Sequence, residues 1–267
     1  MDLGRHHPLL KRLRLLRKSG AARREQGILI AEGVHIARDA IAAGCEFEAA
    51  VFDSRLAASD EGEAVLFDLR ARGVDCHEVA ESVMDGLQDA RSPQPLLLMV
   101  RTAPLASRPW RTSRDPLIVV ADGIQDPGNL GAIVRCADAA GAASLILTGE
   151  TADPHHPRTV RASMGSMFRL PVERTRLPQA IRRLRDRKIA LIGTCASGGE
   201  DYRDAPLSGA CALFFGGEGA GLDEGFLRSL DRTITIPLHA EVESLSVGAA
   251  VAVTLFEAVR QRRPSNG

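Results

Sequence analysis

Residues 117–149 read LIVVADGIQDPGNLGAIVRCADAAGAASLILTG. The opening run, LIVVAD, and the closing run, SLILTG, are short and almost wholly apolar, the pattern of strands buried on both faces. Between them 130–140 repeats its apolar residues at helical spacing. Asp126-Pro127-Gly128-Asn129 is a turn sequence in which Asn129 is placed to cap that helix. The same rhythm continues downstream. A basic amphipathic helix at 177–187 precedes the strand KIALIGT. CALFFG is a further strand, 223–230 a short helix, RTITIPL a strand, and a helix from about 244 to 262 follows. Strands separated by helices predict an α/β domain with a mostly parallel sheet covered on both sides. Ligands of such sheets sit beyond the carboxyl ends of strands, so the segments after each strand are where chemistry is expected.

Upstream the pattern is similar but on a smaller scale. Leucines recur at helical spacing with basic residues between them at 9–18. GILIA at 27–31 reads as a buried strand, and 34–43 as a helix ended by Gly44. Residues 49–52 suggest a strand, 64–66 the start of a helix, 73–79 an edge strand, and LLLMV at 96–100 a buried one. RTAPLASRPWRTSRDP at 101–116 lacks periodicity and is rich in Pro, Arg, Ser and Thr. These features predict a smaller N-terminal α/β domain at 1–105, a linker at 106–115 and the larger domain at 116–267.

Composition narrows the classes. The 267 residues are 45% hydrophobic and 25% charged, which excludes fibrous, disordered and disulfide-scaffold classes. Lys plus Arg and Asp plus Glu each total 34, so the chain does not coat nucleic acid by net charge alone. Local basic patches remain open. Arg5, Lys11, Arg12, Arg14, Arg17, Lys18, Arg23 and Arg24 fall within 5–24 with no acid among them before Glu25, either as an RNA contact or as a solvated helix face. The cations are almost all arginine, suited to phosphate wherever they cluster. The five cysteines are scattered without a CxxC pair, and the start MDLGRHHPLL lacks the apolar segment of a signal peptide. Nor is any apolar stretch long enough to span a bilayer. A cytoplasmic protein with no membrane association is expected.

Three post-strand segments carry most of the signal. The first is the turn and helix start at 123–135. The second, Gly216-Gly217-Glu218-Gly219-Ala220-Gly221, sets four glycines around one carboxylate, suiting a backbone held close to a ligand. The third runs from Ile236-Pro237-Leu238 to Ser244-Leu245-Ser246-Val247-Gly248, where Ser244 is placed to cap the last helix. Neither GxGxxG nor a Walker loop is present, which removes the usual support for a nicotinamide or ATP site. His155 and His156, with Asp153, suggest a metal site but lack a clear third ligand at metal spacing, so no metal is expected.

Taken in order, these segments resemble the signature of the SpoU/TrmH family of RNA ribose 2′-O-methyltransferases, part of the knotted SPOUT superfamily. The first motif is matched by Asn129, Gly131 and Arg135. The second is matched by Gly216, Glu218, Gly219, Gly221 and Leu222, and the third by Ile236, Pro237, Ser244, Leu245 and Val247. RASMGSMFRLPV at 161–172 is also similar to the family. GILIAEGVHIARDAI at 27–41 resembles the start of its substrate-binding domain, whose fold is shared with ribosomal RNA-binding proteins. The chain departs from the pattern at Ser246, where the family has Asn, and at Gly248, where it has Ser.

The resemblance implies a C-terminal trefoil-knotted α/β domain, a homodimer with sites at the subunit interface, and S-adenosylmethionine as methyl donor. It implies Asn129, Arg135, Glu218 and Ser244 as catalytic residues. It implies Thr194, Gly216, Gly217, Glu218, Gly219, Ile236, Pro237, Leu238 and Leu245 around the cofactor. Arg5, Lys11, Arg12, Arg23, Arg24 and Arg135 are the expected RNA contacts. An arginine ordinarily keeps its proton, so Arg135 is open to two roles, removing the 2′-hydroxyl proton or orienting ribose and phosphate. Structured RNA is the expected substrate, ribosomal RNA ahead of transfer RNA. Ser246 and Gly248 leave open a catalytically weak RNA-binding protein that keeps the fold.

Overall fold

The computed structural model describes residues 3–4, 6–88, 93–219, 221–239 and 242–263. The chain divides into two compact units, 1–107 with 153–169, and 108–152 with 170–267. Residues 153–169 belong to the first unit, where Val160 and Phe168 enter its core.

The first unit runs through α1 (Pro8–Lys18), α2 (Gly20–Gln26), β1 (Ile28–Glu32), α3 (Val34–Ala42), β2 (Phe47–Phe52), α4 (Ser54–Ala57) and α5 (Asp60–Ala71). It continues with β3 (Asp75–Glu78), α6 (Glu81–Asp85), β4 (Leu96–Arg101) and α7 (Ala103–Ala106). The Leu-rich helix stops at Lys18 because Ser19 leaves the helical backbone, and its hydroxyl accepts from Ala22 N–H to cap a second short helix. The sheet order is β1-β4-β2-β3, antiparallel except for the β2–β3 pair. Strand alternation sends Ile28, Ile30, Val51, Leu97 and Met99 against Leu10, Leu13 and Leu16 of α1. Leu29, Ala31, Leu98 and Val100 turn the other way, toward Ile36 of α3 and Leu66 and Leu69 of α5.

The second unit opens with β5 (Leu117–Asp122), α8 (Pro127–Ala139) and β6 (Ser144–Thr148). After the excursion, which holds α9 (Pro157–Ala162), come β7 (Val172–Arg174), α10 (Leu177–Asp186), β8 (Ala190–Thr194) and β9 (Glu200–Asp201). The chain then forms β10 (Cys211–Gly216), α11 (Glu224–Leu227), β11 (Arg232–Thr235) and α12 (Val247–Arg262). Seven strands pair in the order β7-β6-β5-β10-β8-β11-β9, every neighbour parallel. Ile118, Val120, Ile146, Leu191 and Phe214 pack with Ala180 and Leu184 of α10. α12 packs on α8 and β10. Both sheet faces are therefore covered, as the apolar strands require. β7 and β9 are edge strands of three and two residues, too short for any periodicity to announce them.

Register places the site. Gly216 at the end of β10 lies opposite Asp122 at the end of β5, and Ile234 of β11 opposite Thr194 at the end of β8. The carboxyl ends of β5, β10, β8 and β11 thus stand side by side.

Candidate active site

The turn after β5 folds differently from the expected cap. Asp126 caps α8, its Oδ1 accepting from Asn129 N–H at 2.9 Å. Pro127 sits in the first turn, where a missing N–H costs nothing. Asn129 is therefore inside the helix with its amide released, and Nδ2 donates to Glu218 Oε1 at 2.7 Å. The first and second motifs are joined by that bond.

After β10 the chain folds back on itself, Gly221 N–H donating to Gly217 O at 2.9 Å. A Cβ on Gly216 would lie 2.2 Å from the Gly221 carbonyl carbon, and one on Gly217 would lie 2.3 Å from Gly123 O. These two glycines answer to backbone meeting backbone, not directly to a ligand. Gly219, with φ +87° and nothing within 4 Å of where a Cβ would stand, faces open space.

In the third segment the cap of α12 is Ser246, not Ser244. Its Oγ accepts from Ala249 N–H at 3.4 Å. Gly248 faces α8, where an added Cβ would meet Ala132 Cβ at 3.6 Å, an ordinary contact.

The second and third segments, with the end of β8, line a cavity of about 530 Å³ to which 123–135 contributes no side, within the range that takes a cofactor-sized molecule. Thr194 and Cys195 close one side of it. Gly216, Gly217, Glu218 and Gly219 close a second side, and Ile236, Leu238, Ser244 and Leu245 a third. Pro237 is not in the lining, although both its neighbours are. Glu218 is the one charged lining residue among those described. Thr194 is present by position more than by chemistry, because its hydroxyl already donates to Phe214 O at 2.9 Å.

Thr254 is the residue that sequence reasoning missed. It lines the cavity, and its buried hydroxyl has no hydrogen-bond partner. Val247, Ala250 and Thr254 form one helical stripe facing the cavity, a spacing that could have flagged it.

Arg135 does not join this lining. It stands exposed on α8. The basic N-terminal residues separate into two groups. Lys11 and Arg24 are exposed, while Arg12 is ion-paired with Glu48 and donates to Gln26 Oε1 at 2.6 Å. Arg5 lies outside the described residues. Arg23 is corrected as an RNA contact. It is 2% exposed, bonded to Asp153 Oδ2 at 2.7 Å and to Leu16 O at 2.6 Å. Charge patterning cannot distinguish a buried arginine from an exposed one when the partner lies 130 residues away.

His156 caps α9, its Nδ1 accepting from Arg158 N–H at 3.1 Å. His155 donates its N–H to Asp153 Oδ1 at 2.9 Å. No cluster of three metal-binding side chains and no helix long and apolar enough to cross a membrane occurs among the described residues.

Comparison with known proteins agrees with this geometry. Residues 116–256 match the SpoU rRNA Methylase family, and residues 7–98 match the MRM3-like substrate binding domain. The 23S rRNA (guanosine(2553)-2′-O)-methyltransferase RlmP of Bacillus subtilis is 33% identical over 184 residues, covering 69% of this chain and 72% of its own. The 23S rRNA (guanosine-2′-O-)-methyltransferase RlmB of Vibrio cholerae is 32% identical over 204 residues, covering 74% and 83%. Among solved structures, the AdoMet-bound rRNA methyltransferase of Sinorhizobium meliloti superposes with a TM-score of 0.85 at 32% identity, covering 99% of this chain and 98% of its own. The SpoU methyltransferase AviRb of Streptomyces viridochromogenes, in complex with AdoMet, also gives 0.85, at 28% identity with 96% and 98% covered. With the family model spanning more than half its length, its second and third motif segments lining one cavity and the first tied to them through Asn129, the chain belongs to the SpoU rRNA methylase family.

Proposed function

We propose that this protein transfers a methyl group from S-adenosylmethionine to a ribose 2′-hydroxyl of ribosomal RNA. The observation that carries the reading is the meeting of the second and third motif segments at one cavity, to which the Asn129–Glu218 hydrogen bond ties the first. The residues present suit the cofactor. Apolar Leu222, Ile236, Leu238 and Leu245 offer it shape, the 216–219 backbone offers polar edges, and the unpartnered Thr254 hydroxyl offers a hydrogen bond. When bound, the cofactor supplies an activated methyl on a positively charged sulfonium. Glu218 then provides the one compensating charge in the lining among the described residues.

The chain's own task is to bring the ribose oxygen into line and keep it there. Asn129 holds Glu218 and with it the Gly-rich loop. Ser244 offers a hydroxyl at the cavity's edge. Arg135 is assigned to orient the ribose and its neighbouring phosphate, a role that suits a guanidinium. Because Arg135 lies outside the lining of its own chain's cavity, a homodimer that brings a second Arg135 to each site is part of the proposal. The half-exposed Phe256 on α12 supports it as uncovered apolar surface. The trefoil threading of the C-terminal domain, an RNA-contacting role for the N-terminal unit through Lys11 and Arg24, and a cytoplasmic location belong to the same reading.

A second reading is favoured by Ser246 and Gly248: a protein that binds RNA and cofactor but turns over slowly. One experiment separates these alternatives. Purified protein is incubated with methyl-labelled S-adenosylmethionine and unmethylated 23S ribosomal RNA or transfer RNA, with Arg135→Ala as control. Label on a ribose of ribosomal RNA, lost in the variant, is the expected result. Label on transfer RNA alone overturns the substrate, and binding without label favours the slow enzyme.

A further inference from the structure

A second basic surface takes no part in the cavity. The stretch 176–188 around α10 carries Arg176, Arg182, Arg183, Arg185, Arg187 and Lys188 against one acid, Asp186. Helix stability accounts for only part of this accumulation, since Arg183 and Arg185 in the last turn suit the helix dipole. Arg176 occupies the N-cap without a side-chain cap, and no acid follows in the first turn. A cation there opposes the helix dipole. Arg183 and Arg187 are like charges one turn apart, which repel. Lys188 has φ +57°, a backbone region that favours glycine, yet the position carries a long cationic side chain. At the N-cap and at 188, then, the residue present runs against local preference.

The arginines are also held in place. The Trp110 indole N–H donates to Glu173 Oε1 at 3.1 Å, and Arg183 pairs with the same carboxylate. The Arg183 and Arg187 guanidiniums lie 4.8 and 4.3 Å from the Trp110 ring centroid. Arg185 donates to Ser229 O at 2.9 Å. Arg176, Arg182, Arg187 and Lys188 remain exposed and form no ion pair among the described residues. Guanidiniums ordered on an indole lose less freedom on meeting a phosphate. The C-terminal end of α10 leads into the start of β8, whose far end bears Thr194 of the cavity. A five-residue strand spans about 17 Å, so this surface is distinct from the reacting centre.

We propose that the exposed face of α10, with the arginines held by Trp110, is a second RNA-contacting surface that grips backbone phosphates of a duplex segment of the substrate. The inference rests on the proposed function and adds to it where the RNA is held. RNA fits better than an acidic protein, because the exposed positions of the helix, Pro178, Gln179, Arg182, Arg185 and Asp186, offer no apolar centre of the kind protein interfaces need.

The test compares the parent with an Arg182→Gln, Arg187→Gln, Lys188→Gly variant. Each replaced side chain is exposed, and glycine suits the backbone at 188, so folding is preserved. Binding to a 23S ribosomal RNA transcript and to an RNA duplex of about 20 base pairs is measured across a salt series, with S-adenosylmethionine binding measured by calorimetry. The expected result is about a tenfold or greater loss of affinity for both RNAs at low salt. The slope of log affinity on log salt should become shallower by about two to three, at ~0.7–0.9 per lost phosphate contact. Cofactor affinity, and turnover at saturating RNA, should be unchanged. If the parent binds RNA and the variant binds equally well, the surface is only a solvated helix face and the proposal fails alone. If the parent binds neither RNA, the proposed function fails with it. A loss seen only on assembled ribosomal particles, with both naked RNAs bound as before, assigns the face to a protein partner and overturns the proposal.

Discussion

Asn129 and Glu218 are 89 residues apart in the chain and are joined by an Nδ2–Oε1 hydrogen bond of 2.7 Å. The bond exists because Asp126 takes over the cap of α8 and frees the asparagine amide. Asn129→Ala should leave the protein folded, since a partly exposed bond contributes only about 1 kcal/mol. Methyl transfer should fall by about 10–100-fold as the loop loses its tether. Glu218→Gln makes a sharper test of charge. The amide oxygen can still accept from Asn129, but the cavity loses the one negative lining group among the described residues. S-adenosylmethionine should bind several-fold more weakly, while the neutral S-adenosylhomocysteine is little affected. Calorimetry with both ligands checks this, and equal losses for the two would remove the electrostatic role.

Arg23 gives the plainest stability prediction. Its guanidinium is buried, bonded to Asp153 and to the Leu16 carbonyl. Arg23→Ala strands a carboxylate and a backbone oxygen together, and should cost about 3 kcal/mol, near the low end for a buried pair because Asp153 keeps some contact with water. Denaturant melts would show it, alongside Arg24→Ala, which is exposed and should be neutral.

The same cluster sets a pH dependence. Burial pushes the His155 imidazole below its ordinary 6.5, with Asp153 opposing and Arg23 adding to the shift, and His156 is pushed down by burial and Arg23. Both are thus neutral in the folded chain at a pH where the unfolded chain protonates them. Stability is full above about 6.5 and declines as pH falls below it toward the lowered folded values. Burial works to raise the Asp153 carboxyl, but the Arg23 hydrogen bond and charge hold it below 3.8. Its contribution therefore persists until pH falls below 3.8 and is lost only beyond that point. A thermal melt series should show a decline beginning between pH 7 and 5.5, and His155→Asn should flatten it. An unchanged slope in the variant would place the titrating group elsewhere.

How far the sequence reaches is clearest at these residues. β5, β6, β8 and β10 were legible because parallel strands buried on both faces leave uninterrupted apolar runs. The loops after them were legible because glycine and proline mark turns. Partnership across the chain was not. Asp126 and Asn129 are both competent caps, and only the backbone path decides which one serves. Likewise Ser244 and Ser246 are two residues apart, and the start of α12 at Val247 selects the second. The transfer of 153–169 to the first unit was hidden for the same reason: its marks are one buried ion pair and two core side chains, and neither has a local pattern.

Two glycines should respond oppositely to substitution. Gly216→Ala drives a Cβ to 2.2 Å from the Gly221 carbonyl carbon, where backbone must shift. Cofactor binding should be lost and the melting temperature should fall. Gly248→Ser meets only Ala132 at 3.6 Å, and Ser246→Asn keeps a good cap. The Ser246→Asn, Gly248→Ser double variant should therefore melt with the parent, and the added amide donor at the cavity's edge should raise turnover several-fold. A flat rate, measured under saturating RNA and cofactor, would mean that Ser246 and Gly248 cost this protein nothing.

Arg135 stands outside the cavity lining of its own chain, exposed on α8, so a dimer in which one chain's arginine serves its partner's cavity makes a distinctive prediction. Arg135→Ala should bind S-adenosylmethionine normally yet transfer no methyl. Gly216→Ala should supply an intact Arg135 beside a ruined cavity. Each variant alone should be inactive, but co-expressed they form mixed dimers in which one site pairs the intact cavity of the first chain with the arginine of the second. Random pairing makes about half the dimers mixed, each with one working site of two, so activity should return to about a quarter of the parent's. If co-expression restores nothing while mixed dimers are demonstrably present by differential tagging, Arg135 serves its own chain. A movement of α8 on RNA binding would then be needed to bring it to the ribose.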